Sequence, residues 1–238
     1  MTLSEHTVKA YDDELKKLDE LVVRMGGLAE SQMAAAIDAI TRGDERLAQR
    51  AIVSDDEIDR LEQEVEQAVI RMLALRQPAG QDLRMIVSVL RISSDLERIG
   101  DYAANVAKRA IALRAHAPQD PLRSLPRMVR LVQGSLDRVL DAFVKRDSAK
   151  ALDVWESDRE IDEMYTSLFR ETLTYMMEDP RNITPCAHLL FIAKNIERIG
   201  DHCTNIAELI HYMVTGKRLT GHRPKGDESS YVVVEPDA

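Results

Sequence analysis

The chain has 238 residues, of which 45% are hydrophobic and 31% charged, and its formal net charge of -9 sets the surface as a whole against nucleic acid and anionic lipid. Aromatic residues are only 4% of the total, with one tryptophan and three phenylalanines, which argues against a β-sandwich and for aliphatic packing of helix on helix. No apolar run reaches the roughly 18 residues of a membrane span, and positions 1–11 lack the apolar centre of a signal peptide, so a cytoplasmic location is expected.

The first element is a long amphipathic helix. Leu15, Leu18, Val22, Met25 and Ala29 recur at alternating spacings of three and four, the mark of one buried seam. Gly26 and Gly27 lie inside this run, in the segment RMGGLAE, where a close-packing or kink site fits better than a phosphate-binding loop. After a break at Arg42-Gly43-Asp44, a second seam passes through Ile58, Leu61, Val65, Ala68, Met72 and Leu75. Gln77-Pro78-Ala79-Gly80 ends it, and a third seam follows through Val89, Ile92, Leu96, Ile99, Ala103, Val106, Ala110 and Leu113. Each of these helices is expected to have roughly 30 or more residues and a length near 50 Å.

The segment HAPQDP, with two prolines, interrupts the pattern, and the same plan then starts again. One helix ends near Lys145-Arg146-Asp147 and a second near Glu178-Asp179-Pro180. A third runs from about Ile183 to Gly216 on the seam Leu189, Ile192, Ile196, Ile199, Cys203, Ile206, Ile210 and Met213. The expected fold is all-α: two tandem three-helix bundles over residues 1–116 and 121–216, six long helices in all, with a mobile tail over 217–238. Cys186 and Cys203 match no metal-binding spacing and read as reduced thiols at apolar positions.

The chemistry sits in the repeat. The pentapeptide ERIGD occurs at Glu97–Asp101 and again at Glu197–Asp201, and Asp55 with Asp59 recurs as Asp158 with Asp162, 103 residues on. Each half therefore carries two acid-x-x-x-acid pairs, one on its middle helix and one on its last. Four residues advance a helix by about 6 Å and little more than one turn, so both acids of a pair share a face. Antiparallel neighbours would bring the two pairs of a unit to one level. Four carboxylates without histidine or thiolate are ligands for a hard cation such as Mg, Mn, Ca or iron.

With Leu96 and Ala103 at heptad position a and Ile99 and Val106 at d, Glu97 and Asp101 fall at b and f, the outer side of a bundle. Gly100 flanks the seam, where a missing side chain lets a neighbour approach. His202 follows Asp201 directly, points about 100° away from it, and reads as a surface or packing residue. The plainer account of these acids is a solvated face with an ion-pair ladder, Arg91, Asp95, Arg98 and Asp101. In the second copy Arg91 becomes Phe191 and Asp95 becomes Asn195, yet Glu, Arg, Gly and Asp persist. Their persistence outlasts the ladder despite a cost of about 1 kcal/mol for a glycine inside a helix. No Walker lysine, nucleophile elbow or Ser/His/Asp set is present.

The segments DLRMIVSVLRISSDLERIGDYAANVAKRA and LLFIAKNIERIGDHCTNIAELI resemble the two signature helices of the PhoU family, and HTVKAYDDELKKLDELVVRMGGLAE resembles its opening helix. The resemblance runs from about His6 to Gly216 and implies paired three-helix bundles. Each would hold a multinuclear metal cluster through E/D-x-x-x-D motifs, here Asp55, Asp59, Glu97 and Asp101, then Asp158, Asp162, Glu197 and Asp201. Asn105 and Asn205 become candidates for a supporting contact. The metal implied is a divalent or trivalent cation in oxygen coordination, Fe, Mn or Mg. The resemblance further implies a role that is regulatory and not enzymatic: negative control of phosphate-starvation signalling and of phosphate uptake. The partners implied are a phosphate ABC transporter ATPase and a phosphate-sensing histidine kinase, with a homodimer, no nucleic acid, and membrane association only through partners. Two alternatives stand beside it, a ferritin-like carboxylate metalloenzyme and a purely structural bundle. The first requires Glu-x-x-His pairs projecting into a four-helix core, and neither last helix is expected to have one.

Overall fold

A computed structural model describes residues 3–113 and 119–220. Among them the chain is helical throughout: α1 (Leu3–Arg42), α2 (Glu45–Val53), α3 (Asp55–Arg76), α4 (Gly80–Leu113), α5 (Gln119–Lys145), α6 (Ser148–Glu178) and α7 (Ile183–Thr215), with a 3-10 turn at Pro180–Asn182 between the last two. The boundaries follow from local chemistry. Asp44 caps α2 by accepting from the Arg46 N–H, and Asp147 caps α6 by accepting from Ala149 and Lys150. Gly43 and Gly216 end α1 and α7 in the left-handed conformation at φ 63° and 72°.

The six-helix plan holds, with one break that periodicity does not show. The middle helix of the first unit is divided at Ser54 into α2 and α3, whereas α6 runs unbroken. The Ala51 carbonyl, which would accept the Asp55 N–H in a continuous helix, instead accepts from Gln32 Nε2 at 2.9 Å and from the Ser54 hydroxyl at 3.0 Å. The equivalent of Gln32 on α5 is Ser135, whose hydroxyl donates within its own helix to Leu131. Asp55 thereby becomes the first residue of α3, while its counterpart Asp158 lies in the middle of α6.

Most of the expected seam residues are buried: Leu18, Val22, Met25 and Ala29 on α1, Ile58, Leu61, Val65 and Met72 on α3, and the whole of both last-helix seams. Leu75 is an exception at 70% exposed. In that last turn of α3 the bundle is closed instead by Arg76, which donates to both carboxylate oxygens of Glu14 at 2.9 and 3.1 Å.

The two units share one continuous core. Their central helices α4 and α7 pack antiparallel, with the Arg109 guanidinium 4.0 Å over the Phe191 ring and Asn205 Nδ2 donating to Asp95 Oδ1 at 3.3 Å. Tyr102 and His202 occupy equivalent places in the repeat, and their rings meet at 5.6 Å on the pseudo-twofold axis. On α1, Gly26 is a close-packing site, because a Cβ there would stand 2.4 Å from Leu140 Cδ2 of α5, while Gly27 faces open space. Nearby, Arg146 donates to both oxygens of Asp19 at 2.6 and 2.5 Å, tying the end of α5 to α1. No described helix is long and apolar enough to cross a membrane. Residues 114–118, which include part of the HAPQDP link, and 221–238 of the expected tail lie outside the described residues.

Candidate metal centre

The first quartet forms where the start of α3 meets the middle of α4. Gln32, buried on α1, donates from Nε2 to Asp55 Oδ1 at 3.0 Å and so holds that carboxylate against α4. The α4 residue opposite is Gly100. A Cβ there would lie 3.0 Å from Ile58 Cδ1, 3.1 Å from Gln32 Oε1 and 3.2 Å from Asp55 Oδ1. The glycine therefore makes the room in which the Asp55 carboxylate sits near Asp101 and Asp59.

The charges there act on one another. Burial, then repulsion from Asp101 and Asp59 against the pull of the Gln32 hydrogen bond, raises the Asp55 carboxyl above its ordinary value. Burial and Asp101 do the same to Asp59 and to Glu97. A fifth acid belongs to the group. Glu62, one turn beyond Asp59 on α3, repels both Asp59 and Glu97, and burial raises its own carboxyl. Arg98 lies at the outer edge, 3.3 Å from Asp101 Oδ2 and 3.5 Å from Glu97 Oε2. Of the ion-pair ladder expected along α4, that Arg98–Asp101 rung is present. Asp95 is turned away to accept from His202 Nδ1 at 2.7 Å and from Asn205, so His202 and Asn205 serve the seam between bundles.

The second quartet is deeper. Asp158, Asp162 and Glu197 are only 2%, 3% and 4% exposed. The Thr204 hydroxyl is 3.0 Å from Asp158 Oδ1, and Lys194 Nζ donates to Glu197 Oε1 at 2.9 Å. Burial pushes the Glu197 carboxyl up to about 7, with Lys194 opposing and Asp201 and Asp162 adding repulsion. In the Gly200 notch the nearest group is the Ile161 side chain, 3.1 Å from a built Cβ, where the first half has Ile58 with Gln32 and Asp55.

The expectation that these acids point to the outer side of the bundles is corrected for the second quartet. A single heptad seam places Glu97 and Glu197 outside, but α4 and α7 each bury two faces, one toward their own unit and one toward each other. Ser93, Gly100, Ala104 and Ala107 on α4, and Ala193, Gly200, Thr204 and Ala207 on α7, are buried in addition to the seam. Positions b and f flank that second face and are drawn inward.

Whether a hard cation fits can be judged from oxygens left without partners. Gln32 Oε1 and Glu197 Oε2 are buried and accept no hydrogen bond, each beside carboxylates that repel one another. A buried acceptor in that state costs roughly 1–3 kcal/mol, and a multivalent cation in oxygen coordination would relieve both the orphaned oxygen and the repulsion. Among the described residues no three histidine, cysteine, aspartate or glutamate side chains are closed up enough to hold a metal ion unaided. The quartets are open arrays of oxygen donors that an entering ion would have to draw together. Asp55, Asp59, Glu97 and Asp101 are the residues to do so in the first half, with Glu62 adjacent. Asp158, Asp162, Glu197 and Asp201 are those of the second.

Residues 22–110 and 125–210 each match the PhoU domain. The chain belongs to the PhoU family. The first PhoU match spans α1 from Val22 to Ala110 of α4 and contains the first quartet. The second spans α5 to α7 and contains the other. The phosphate-specific transport system accessory protein PhoU homolog of Caulobacter vibrioides is 54% identical over 226 residues, 94% of this chain and 98% of the relative. PhoU of Serratia marcescens is 37% identical over 217 residues, 91% of this chain and 89% of the relative. The crystal structure of PhoU from Pseudomonas aeruginosa superposes with a TM-score of 0.85 at 39% identity, covering 87% of this chain and all of the other. That agreement extends through both PhoU units and supports their common arrangement around α4 and α7.

Sequence reasoning missed Gln32, Glu62, Lys194 and Thr204. Gln32 had a signal, since a polar residue three positions after Ala29 interrupts the apolar face of α1. The other three stand out where the repeats differ: Glu62 faces Tyr165 in the alignment of the halves, Ser94 faces Lys194, and Ala104 faces Thr204.

Proposed function

We propose that this chain is a regulatory accessory protein of phosphate transport. It represses the phosphate-starvation response and restrains uptake when phosphate is ample. It does so from the cytoplasm, as a homodimeric adaptor between the ATPase of a phosphate ABC transporter and a phosphate-sensing histidine kinase. A hard divalent or trivalent cation, Fe, Mn or Mg, held by the acid quartets forms part of the docking face. The observation that carries this reading is the coincidence of each matched PhoU domain with one complete quartet, in a chain whose relatives are named phosphate-specific transport system accessory proteins.

The chemistry of the site favours regulation over turnover. The expectation that neither last helix has a Glu-x-x-His pair is corrected: Glu208-Leu-Ile-His211 on α7 has that spacing of di-iron enzymes. Its Glu208 is exposed and accepts from Trp155 Nε1 at 2.8 Å, so the pair does not converge with the quartet acids. The test is genetic. Deletion of the gene is expected to switch on a phosphate-regulated reporter in rich phosphate. Wild-type protein should restore repression, and the Glu97→Ala, Asp101→Ala variant should not. A reporter that stays off in the deletion strain would refute repression.

A further inference from the structure

The two quartets occupy equivalent places in the repeat, but their surroundings differ in charge. On the middle helix, position 62 is glutamate in the first half and its counterpart 165 is tyrosine; on the last helix, position 94 is serine and its counterpart 194 is lysine. These two differences act together. In the first half Ser94 hydrogen-bonds Glu62, and Glu62 adds a fifth carboxylate beside Asp59 and Glu97. In the second half the Tyr165 ring seats the Lys194 ammonium at 4.7 Å, and that ammonium pairs with Glu197 at 2.9 Å. The cations of the first quartet lie toward water: the Arg98 side chain, paired with Glu97 and Asp101, is 57% exposed, and Lys108, which acts on Asp55, is exposed. The Lys194 side chain is 33% exposed, and its partner Glu197 only 5%.

The orphaned oxygens add a second difference. In the first half Gln32 Oε1 is a neutral, buried oxygen without a hydrogen bond, next to Asp55 across the Gly100 notch. Nε2 of the same amide already faces two acceptors, Ala51 O and Asp55 Oδ1, so the amide cannot turn over without setting oxygen against oxygen. That oxygen is fixed beside Asp55, in a half whose cations, Arg98 and Lys108, are exposed. In the second half Glu197 Oε2 is likewise unpaired, but its carboxylate already shares a proton-rich ammonium on the other oxygen.

We propose that the quartets are unequal cation sites: the first, widened by Glu62 and Gln32, takes a polyvalent metal ion, whereas the Lys194 ammonium is the resident cation of the second and keeps metal out. This rests on the reading of the quartets as metal ligands given above. A metal entering the second half must displace an ammonium from Glu197 and from the face of Tyr165, whereas beside Glu97 the contact to be broken is the longer, 3.5 Å one to the exposed Arg98. Like charges close to a metal weaken its binding steeply in a poorly solvated site. The second half therefore contributes a fixed, metal-free face, and the regulated state of the protein is set by the first.

The test uses the full-length, chelator-stripped protein titrated with Mn2+, with free Mn2+ counted by its solution EPR signal and folding checked by thermal unfolding. Wild type is expected to show one tight class of sites, abolished by Glu97→Ala, Asp101→Ala and left in place by Glu197→Ala, Asp201→Ala. Lys194→Ser, which installs the residue of the first half, and Lys194→Met, which keeps the chain length without the charge, should each add a second class. The second-half affinity should be about tenfold or more above that of wild type. Lys194→Arg should behave as wild type. The inference is overturned if Glu97→Ala, Asp101→Ala retains half of the wild-type sites, or if folded Lys194→Ser and Lys194→Met bind no more than wild type. Absence of binding in wild type and in both lysine variants would bring down the metal reading together with the inference. First-half binding with silent lysine variants would sink the inference alone.

Discussion

Replacing Glu197 by glutamine is expected to shift the pH dependence of stability of the metal-free protein by about 3 kcal/mol between pH 5 and pH 8. Glu197 is buried on α7, and its carboxyl is pushed from 4.5 up to about 7, first by burial and then by Asp201. An acid that holds its proton more tightly folded than unfolded favours the folded state while protonated. Its contribution is unchanged below about pH 4.5, declines as pH rises toward 7, and is fully lost above that. At about 1.4 kcal/mol per pH unit the interval is worth roughly 3 kcal/mol. Glutamine has the same shape and no charge. The variant should match or trail wild type at pH 5, where it loses part of the Lys194 contact, and gain on it steadily by pH 8. Denaturant unfolding of both chelator-stripped proteins across that range measures it, and parallel curves would show that Glu197 ionises freely in the fold.

Gly100→Leu is expected to cost about 3 kcal/mol, since overpacking a tight contact costs about 1–3 kcal/mol or more. A single Cβ already meets three neighbours at 3.0 to 3.2 Å, two of them the polar atoms Gln32 Oε1 and Asp55 Oδ1. The longer side chain has to push α3 away from α4 or drive Asp55 off its Gln32 anchor. Removing a glycine from a helix interior returns about 1 kcal/mol, so Gly100→Ala, whose neighbours need move only a few tenths of an ångström, should lie near wild type. Gly27→Ala meets nothing within 4 Å and should stabilise by about 1 kcal/mol. Thermal or denaturant unfolding of the three variants ranks them, and a Gly100→Leu protein as stable as Gly27→Ala would deny the close approach of Asp55 to α4.

The long helices, their repeat and all eight acids were legible because they depend on local periodicity. A seam at spacings of three and four declares a helix wherever it lies, and a repeated motif survives comparison of the chain with itself. Depth was not legible. Glu97 and Glu197 hold the same heptad position, yet the side chain of one is 21% exposed and that of the other only 5%. What separates them is the second buried face of the central helices and the neighbours at 62/165 and 94/194. The break at Ser54 was hidden for a similar reason: it is imposed by Gln32 from another helix, which takes the carbonyl of Ala51. His202 shows the opposite case. Read as a packing residue, it lies against Tyr102, its own counterpart, and binds Asp95 across the axis. In this chain the matches between the halves mark the shared chemistry, and the mismatches mark where the halves part.

The central claim is that the first acid quartet holds a metal ion as part of a regulatory surface. Elemental analysis of protein purified without chelator, wild type beside Glu97→Ala, Asp101→Ala, tests it most directly. The account predicts bound Fe, Mn or Mg in wild type and its loss in the variant; equal metal content in the two folded proteins, or none in either, would contradict it.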